Sequence, residues 1–292
     1  MSSLNPGSAM IIEHQLRQAI PEDLARLRQL LRDGKYVHRH LDWRSPLDWL
    51  GYQPFWLLLS GERVEAALAC PPDPPGVAWV RLFACSEQER PSDAWHALFP
   101  HVLDGLGHTG VVAAIALRPW FANLLEHEHF TLHQRVVTLW RSLDLPPGEF
   151  LASGRAGELI RPMQLDDLEA VEQVDARAFG WLWHNSRGDI HRSWQQAAYA
   201  SVAVVGSEIV GFQFSTLSPT NAHLARLAVH PSWQQRGIGW ALLNDVIRYF
   251  RAHRVSQLTV NTQHDNHASL ALYRKAGFRL TGEDYLVYLY TH

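Results

Sequence analysis

The chain has 292 residues, 47% of them apolar, which is long enough for one large domain or two of ordinary size. Its 26 Lys+Arg and 29 Asp+Glu leave a formal net charge of −3, which argues against a general nucleic-acid or anionic-membrane binder. No apolar run reaches the length of a membrane span. Cys70 and Cys85 are too few for a disulfide framework, so a cytoplasmic, reducing compartment is expected.

The opening MSSLNPGSAMIIEHQ has neither the charged start nor the long apolar stretch of a secretory signal, and residues 1–14 read as a flexible tail. From Leu16, LRQAIPEDLARLRQL reads as a short strand, a polar turn and a helix with an acidic first turn. FWLLLSGERVEAALAC, Phe55 to Cys70, is β-rich and split by a glycine turn, the pattern of a hairpin. WVRLFAC reads as a further strand, and SEQERPSDAWHALF turns from it into a helix. DLPPGEFLASGRAG is rich in Pro and Gly and has no clear apolar period, which places a boundary near Phe150.

Beyond that boundary the pattern recurs. IRPMQLDDLEAVEQV repeats the first stretch, with Arg161 matching Arg17, Asp167 matching Asp23 and Leu168 matching Leu24, at an offset of 144 residues between Arg17 and Arg161. ASVAVVGSEIVGFQFS repeats the hairpin, LARLAVH repeats WVRLFAC with Arg226 matching Arg81, and LALYRKAGF repeats NLLEHEHF. The chain therefore reads as a tandem duplication with units at 15–150 and 151–292, each of mixed α/β class around one sheet. Ile238, Leu242, Val246 and Phe250 fall on one face of a helix, and a shorter helix runs from Ala268 to Ala276 with Gly277 as its stop.

Between the apolar AHLARLAV and the first of these helices lies HPSWQQRGIG. Glycines here let a ligand reach bare backbone at a helix N-terminus, whose free N–H groups favour an anion, and Arg236 adds a full charge. The arrangement suits a phosphate or pyrophosphate. The Walker spacing and the Rossmann G-x-G-x-x-G are both absent, since Leu242 follows Gly237 and Gly239 at the third place. Close helix–strand packing is the competing explanation for the glycines.

Gln234-x-x-Gly237-x-Gly239 after LAVHP, followed by Asn266, Ser269, Tyr273, Gly277 and Phe278 in N-x-x-[SA]-x-x-x-Y-x-x-x-G-F, resembles the GCN5-related N-acetyltransferase (GNAT) superfamily. The resemblance covers about residues 158–292 strongly and reaches the first half only through the repeat. It implies two tandem GNAT-like domains, each a central, mostly antiparallel sheet flanked by helices, with a cleft where the fourth and fifth strands splay. It implies acetyl-CoA as donor, with pyrophosphate on the turn Gln234, Gln235, Arg236, Gly237, Ile238, Gly239 and Trp240, pantetheine beside Leu227, Ala228 and Val229, and Asn266 in the second cofactor motif. It places Tyr273 as the acid that protonates the leaving thiolate, and a strand N–H near Ala228 or Val229 as the oxyanion donor.

The base stays open. The position where some relatives of this family carry Glu is Asn261, which takes up no proton at neutral pH; His223 and His184 are the alternatives, alongside water. Trp181, Trp183 and Trp194 either wall an acceptor pocket or form the seam between the halves. In the first half Arg90 survives, but Pro91 and Asp93 stand near the glycine places and Leu125 stands at the tyrosine place, so one active site per chain is expected. The histidine pairs His38/His40 and His127/His129 lack a second pair at zinc-site spacing, and no metal is expected. The expected activity is transfer of an acetyl group to a primary amine of a small molecule or peptide, with homodimerisation open. The alternatives are an acetyltransferase resembling the tandem mycothiol synthases, and a non-catalytic acetyl-CoA sensor.

Overall fold

The computed structural model describes residues 14–107, 110–144, 160–219 and 221–291. The tail, apart from His14, and the boundary near Phe150 lie outside these residues. The first half runs β1 (His14–Gln18), α1 (Leu24–Asp33), β2 (Tyr36–Arg39), β3 (Phe55–Ser60), β4 (Arg63–Ala69), β5 (Val77–Trp79), β6 (Leu82–Cys85), α2 (Pro91–Leu106), β7 (Val111–Ala116), α3 (Pro119–His127) and β8 (Thr131–Ser142). The second runs β9 (Ile160–Pro162), α4 (Leu168–Trp183), α5 (Arg187–Gln196), β10 (Tyr199–Val205), β11 (Glu208–Leu217), β12 (Asn221–Val229), α6 (Ile238–Ala252), β13 (Gln257–Gln263), α7 (His267–Lys275) and β14 (Arg279–Thr291). This is the mixed α/β architecture the sequence leads one to expect.

The duplication is visible atom by atom at the start of each half. Arg17 donates to both carboxylate oxygens of Asp23 at 2.6 Å, and Arg161 donates to those of Asp167 at 2.6 and 2.7 Å. Each aspartate also accepts a backbone N–H three residues back, Ile20 at 3.0 Å and Gln164 at 2.7 Å. One buried carboxylate thus locks strand, turn and first helix together, a charge-assisted bidentate arrangement. Both predicted hairpins form, β3–β4 around Gly61 and β10–β11 around Gly206, with each glycine at positive φ.

The halves are not laid side by side as closed units. One sheet of five strands has the order β1-β3-β4-β6-β2, and one of nine has the order β5-β7-β14-β8-β13-β12-β11-β10-β9. The last strand of each half pairs with the penultimate strand of the other: β8 with β13 over Gln257↔Ser142 to Gln263↔Val136, and β14 with β7 over Leu286↔Ala116 to Thr291↔Val111. β8 and β14 also pair with each other. The two halves therefore share one ladder, and an apolar cluster with Val77, Trp79 and Ile115 on one side and Leu182, Val287 and Leu289 on the other fills the seam.

A second departure from the repeat matters for function. Where the second half carries α5, the first carries β2, a short strand paired with β6 from Tyr36↔Cys85 to Arg39↔Leu82.

Asp23 is fully buried, and the Arg17 guanidinium, helped by the Ile20 N–H, pulls its carboxyl down to about 2 from an ordinary 3.8. A depressed carboxylate stabilises the fold above the unfolded value and loses that contribution as pH falls. Asp23→Asn is therefore expected to lower stability by about 1–2 kcal/mol at pH 7. In chemical denaturation, the gap between variant and parent should close between about pH 4 and about pH 2.

Candidate functional site

β12 and β13 run parallel and pair only from Asn221↔Gln257 to Leu224↔Val260. β12 continues to Val229 against β11, and β13 continues to Gln263 against β8. Between the diverging ends opens a cleft of about 1230 Å³. Its walls include Leu227, Ala228, Val229, Asn261, Asn266 and Tyr273.

Strand alternation decides which backbone groups face this cleft. The His230 N–H donates to Val210 O at 2.8 Å, so it points toward β11. Neighbouring residues point their N–H and C=O to opposite edges. Val229 and Leu227 therefore face the cleft, and Ala228 faces β11. The Val229 carbonyl confirms this by accepting from Gln234 Nε2 at 3.1 Å. Of the two oxyanion donors considered from sequence, Val229 has the required direction and Ala228 does not.

The chain then turns through Pro231–Trp233 and enters α6. Gln235 and Gly237 both sit in the left-handed region, at φ 60° and 87°. Gly237 is the N-cap of α6 and supplies no side-chain cap, so the first-turn N–H groups of the helix face outward. A Cβ at Gly239 would meet Leu272 Cδ2 at 3.5 Å and Val229 Cγ2 at 3.7 Å, which is ordinary contact. Packing within the protein does not demand glycine there, so close helix–strand packing does not account for it.

Ile238 is buried against Val229 and Leu242, so it contributes to the turn only through its backbone. Arg236 and Gln235 are exposed, with the Arg236 guanidinium 4.7 Å from the Trp233 ring centre. Trp240 borders the cleft under the Lys275 ammonium. Asn266 caps α7 by accepting the Ser269 N–H at 3.1 Å. Gln234 and Asn266 thus brace the turns that frame the cleft with their side-chain oxygens and nitrogens already engaged in part.

Tyr273 is buried among Leu270, Ala276 and Phe278, yet it lines the cleft. Burial drives its phenol well above the ordinary range, so it is protonated at neutral pH. His223 lines the cleft one residue before the last β12–β13 pair, Leu224↔Val260. Its Nδ1 lies 2.8 Å from Thr259 Oγ1, and Thr259 spends its one hydroxyl proton on Ala222 O at 3.2 Å. Thr259 must therefore accept from His223, which puts the proton on Nδ1 and leaves Nε2 as the basic nitrogen. Burial lowers the His223 pKa below 6.5, so the ring is neutral at pH 7.

The structure separates the remaining candidates. His184 lies outside this cleft and holds Gly180 O through Nδ1 at 2.9 Å. Asn261 is in the cleft and accepts from Thr138 of β8 at 3.0 Å. The three tryptophans part company. Trp183 is both cleft wall and seam, bonded to Gln134 and 5.2 Å from the Trp79 ring; Trp194 packs in the core under β10 and β11; Trp181 is exposed.

In the first half the corresponding strand edge, β6, is covered by the chain's own β2. Phe83, Trp95, Phe121 and Leu125 fill the space behind it with no exposure. Arg90 caps α2, Pro91 begins it and Asp93 sits in its first turn. The strand edge at β6 is closed, and at the start of α2 Pro91 removes one N–H while Asp93 sets a negative charge in the first turn. Sequence reasoning did not find β2, nor the arrival of His40–Trp43 and of Gln134 and Val136 from the first half in the second half's cleft. The unequal spacing between first helix and hairpin in the two repeats was the available signal.

An α/β sheet splayed at one strand pair, with a left-handed glycine turn leading from the open edge into a helix, thus frames the cleft. Residues 168–278 match the Acetyltransferase (GNAT) family model. The second half of the chain belongs to the GNAT acetyltransferase family. The chain is 28% identical over 162 residues to mycothiol acetyltransferase from Saccharomonospora viridis, covering 50% of each chain. It is 26% identical to the [ribosomal protein bS18]-alanine N-acetyltransferase of Escherichia coli strain K12 over 41% of this chain and 79% of that one. The chain thus spans about half the length of the mycothiol relative it matches. A tandem GNAT protein from the clavulanic acid biosynthesis pathway shares the fold at a TM-score of 0.64 and 17% identity, covering 95% of this chain and 98% of that one.

Replacing Gly239 by Ala puts a methyl at the approach to the first turn of α6 and makes only ordinary contacts with Leu272 and Val229. The expected outcome is a loss of coenzyme A affinity of ten-fold or more, read by calorimetry, with an unchanged melting temperature.

Proposed function

We propose that the second half, residues 151–292, moves an acetyl group from acetyl-CoA to a primary amine of a small molecule or peptide, and that the first half, 15–150, supports it. The observation that carries this reading is the open backbone edge of β12 ending in the left-handed Gly237 turn. That edge, at Leu227 and Val229, suits the amides of a pantetheine arm. The N–H groups from Arg236 to Trp240 suit its pyrophosphate.

The Val229 N–H would take the thioester oxygen as it becomes an oxyanion. The amine nitrogen attacks the carbonyl carbon, the C–S bond breaks, and the Tyr273 phenol gives its proton to the leaving sulfur. The ammonium loses one proton to His223 Nε2 before attack, and the second, lost from nitrogen as the amide forms, returns through solvent to the Tyr273 phenolate. An ordinary alkyl amine has a pKa near ~10.4 and is almost wholly charged at pH 7, so this acceptance is required, not incidental. A cytoplasmic setting fits Cys70 and Cys85, which are buried as free thiols. Among the described residues no helix is long and apolar enough to cross a membrane.

The test is release of free thiol from acetyl-CoA with a panel of amines. Tyr273→Phe is expected to lower kcat by about 10²-fold or more while coenzyme A binds as before. A protein that only senses acetyl-CoA would bind it, release no thiol and be indifferent to this change. His223→Gln is expected to remove the acid limb of the rate–pH profile, which in the parent lies below pH 6.5. Here protonation of His223 on the way down costs activity.

A further inference from the structure

Tyr273 lies in the last turn of α7, and the way that helix ends decides where its ring sits. The Phe278 N–H donates to Tyr273 O at 3.0 Å, and the Gly277 N–H donates to Arg274 O at 2.9 Å. Gly277 is in the left-handed region at φ 83°. These two bonds around a left-handed glycine form a Schellman ending. The apolar contact that accompanies such an ending joins Tyr273 to Phe278, with ring centres 5.6 Å apart. Tyr273 is thus a member of the motif that stops its own helix.

The carbonyl of Ala276, the C-cap, is one that the helix itself cannot satisfy. The first half supplies the donor: Arg141 Nη1 of β8 donates to Ala276 O. A Cβ at Gly277 would lie 3.9 Å from Arg141 Cζ and Nη1, so the guanidinium rests against the turn as well. Arg141 stands opposite Leu258 of β13 and shares a face of β8 with Leu139 and Leu143. Those two leucines belong to the apolar cluster that holds Tyr273 and Phe278.

A cation is a costly choice for that row. Arg141 is 9% exposed. Burial and then Arg251 act against its charge, and no carboxylate among the described residues offsets them. An apolar side chain of similar length would fill the row at less cost. What the guanidinium meets there is the negative end of α7.

We propose that Arg141 is a positioning residue of the acetyl-transfer site: by holding the C-terminus of α7 from the other half of the chain, it fixes the direction in which the Tyr273 phenol enters the cleft. The inference rests on the role given to Tyr273 above. β8 comes alongside α7 because it pairs with β13, so the exchange of final strands is what delivers this cap.

The test is a double-mutant cycle on the full chain, with Arg141→Met, Tyr273→Phe and the two together. It is read as thiol release from acetyl-CoA with propylamine, glycinamide and spermidine as the amine panel. Methionine keeps much of the side chain's length and removes the donor. Arg141→Met is expected to lower kcat by about ten-fold with KM for acetyl-CoA unchanged, because a small misplacement of a reacting group slows the step without weakening binding. In the Tyr273→Phe background the same change is expected to cost almost nothing, since no phenol is left to misplace. Arg141→Lys, which keeps a charged donor, is expected to recover most of the rate. Should Arg141→Met not fold, Arg141→Gln takes its place in the cycle. Losses that add in the double variant, or a loss that falls on KM for acetyl-CoA alone, overturn the positioning role and leave the acetyl-transfer reading standing. A parent chain that releases no thiol overturns both. A parent indifferent to Tyr273→Phe overturns the role of Tyr273 together with that of Arg141.

Discussion

Four residue pairs hold β12 to β13, and then the strands part. A buried strand edge must find partners for its N–H and C=O groups, because leaving them bare costs about as much as the hydrogen bonds they forgo. The two halves answer this constraint differently. In the first, β5 pairs in parallel with β7 from Val77↔Val111 to Trp79↔Ala113, and the continuation β6 is covered by β2. In the second, no strand among the described residues covers the edge at Leu227 and Val229, and the cleft lies beside it. One architecture thus yields a closed half and an open one, and the difference is four residues of backbone, Tyr36–Arg39.

The closed half is not a passive remnant. Its β8 lies between β13 and β14, so it forms the far side of the strand that bears Asn261, and Thr138 holds the Asn261 amide. Gln134 and Val136 of β8 reach the cleft itself. The exchange of final strands means that the wall opposite β12 cannot form from second-half residues alone. The seam beside the shared ladder is apolar where Trp79 meets Trp183, and the Arg44–Asp189 ion pair crosses it.

Much of this was legible in the sequence because the signals are local. The Arg17/Asp23 and Arg161/Asp167 pairs sit six residues apart and mark the duplication directly. The glycines at 237 and 239 and the Asn266-to-Phe278 spacing are similarly short-range, and they located the turn and the helix that frame the cleft. What stayed hidden is non-local. Strand exchange leaves β8 and β14 with the same apolar pattern they would have inside their own halves. β2 is four residues long, too short for alternation to stand out. The choice between His223 and His184 turned on which one faces the cleft, and the choice between Ala228 and Val229 on strand parity. Both are set by the β11–β12 register rather than by residue type.

Two groups that line the cleft share one property: burial keeps them uncharged. Tyr273 is held as the phenol and His223 as the neutral ring, each by desolvation as the leading cause. That is the condition acyl transfer between thioester and amine demands, since both the acid and the base must start in the form that can act. The Val229 N–H, already fixed by the sheet with its direction toward the cleft, need not reorient toward a charge that forms beside it.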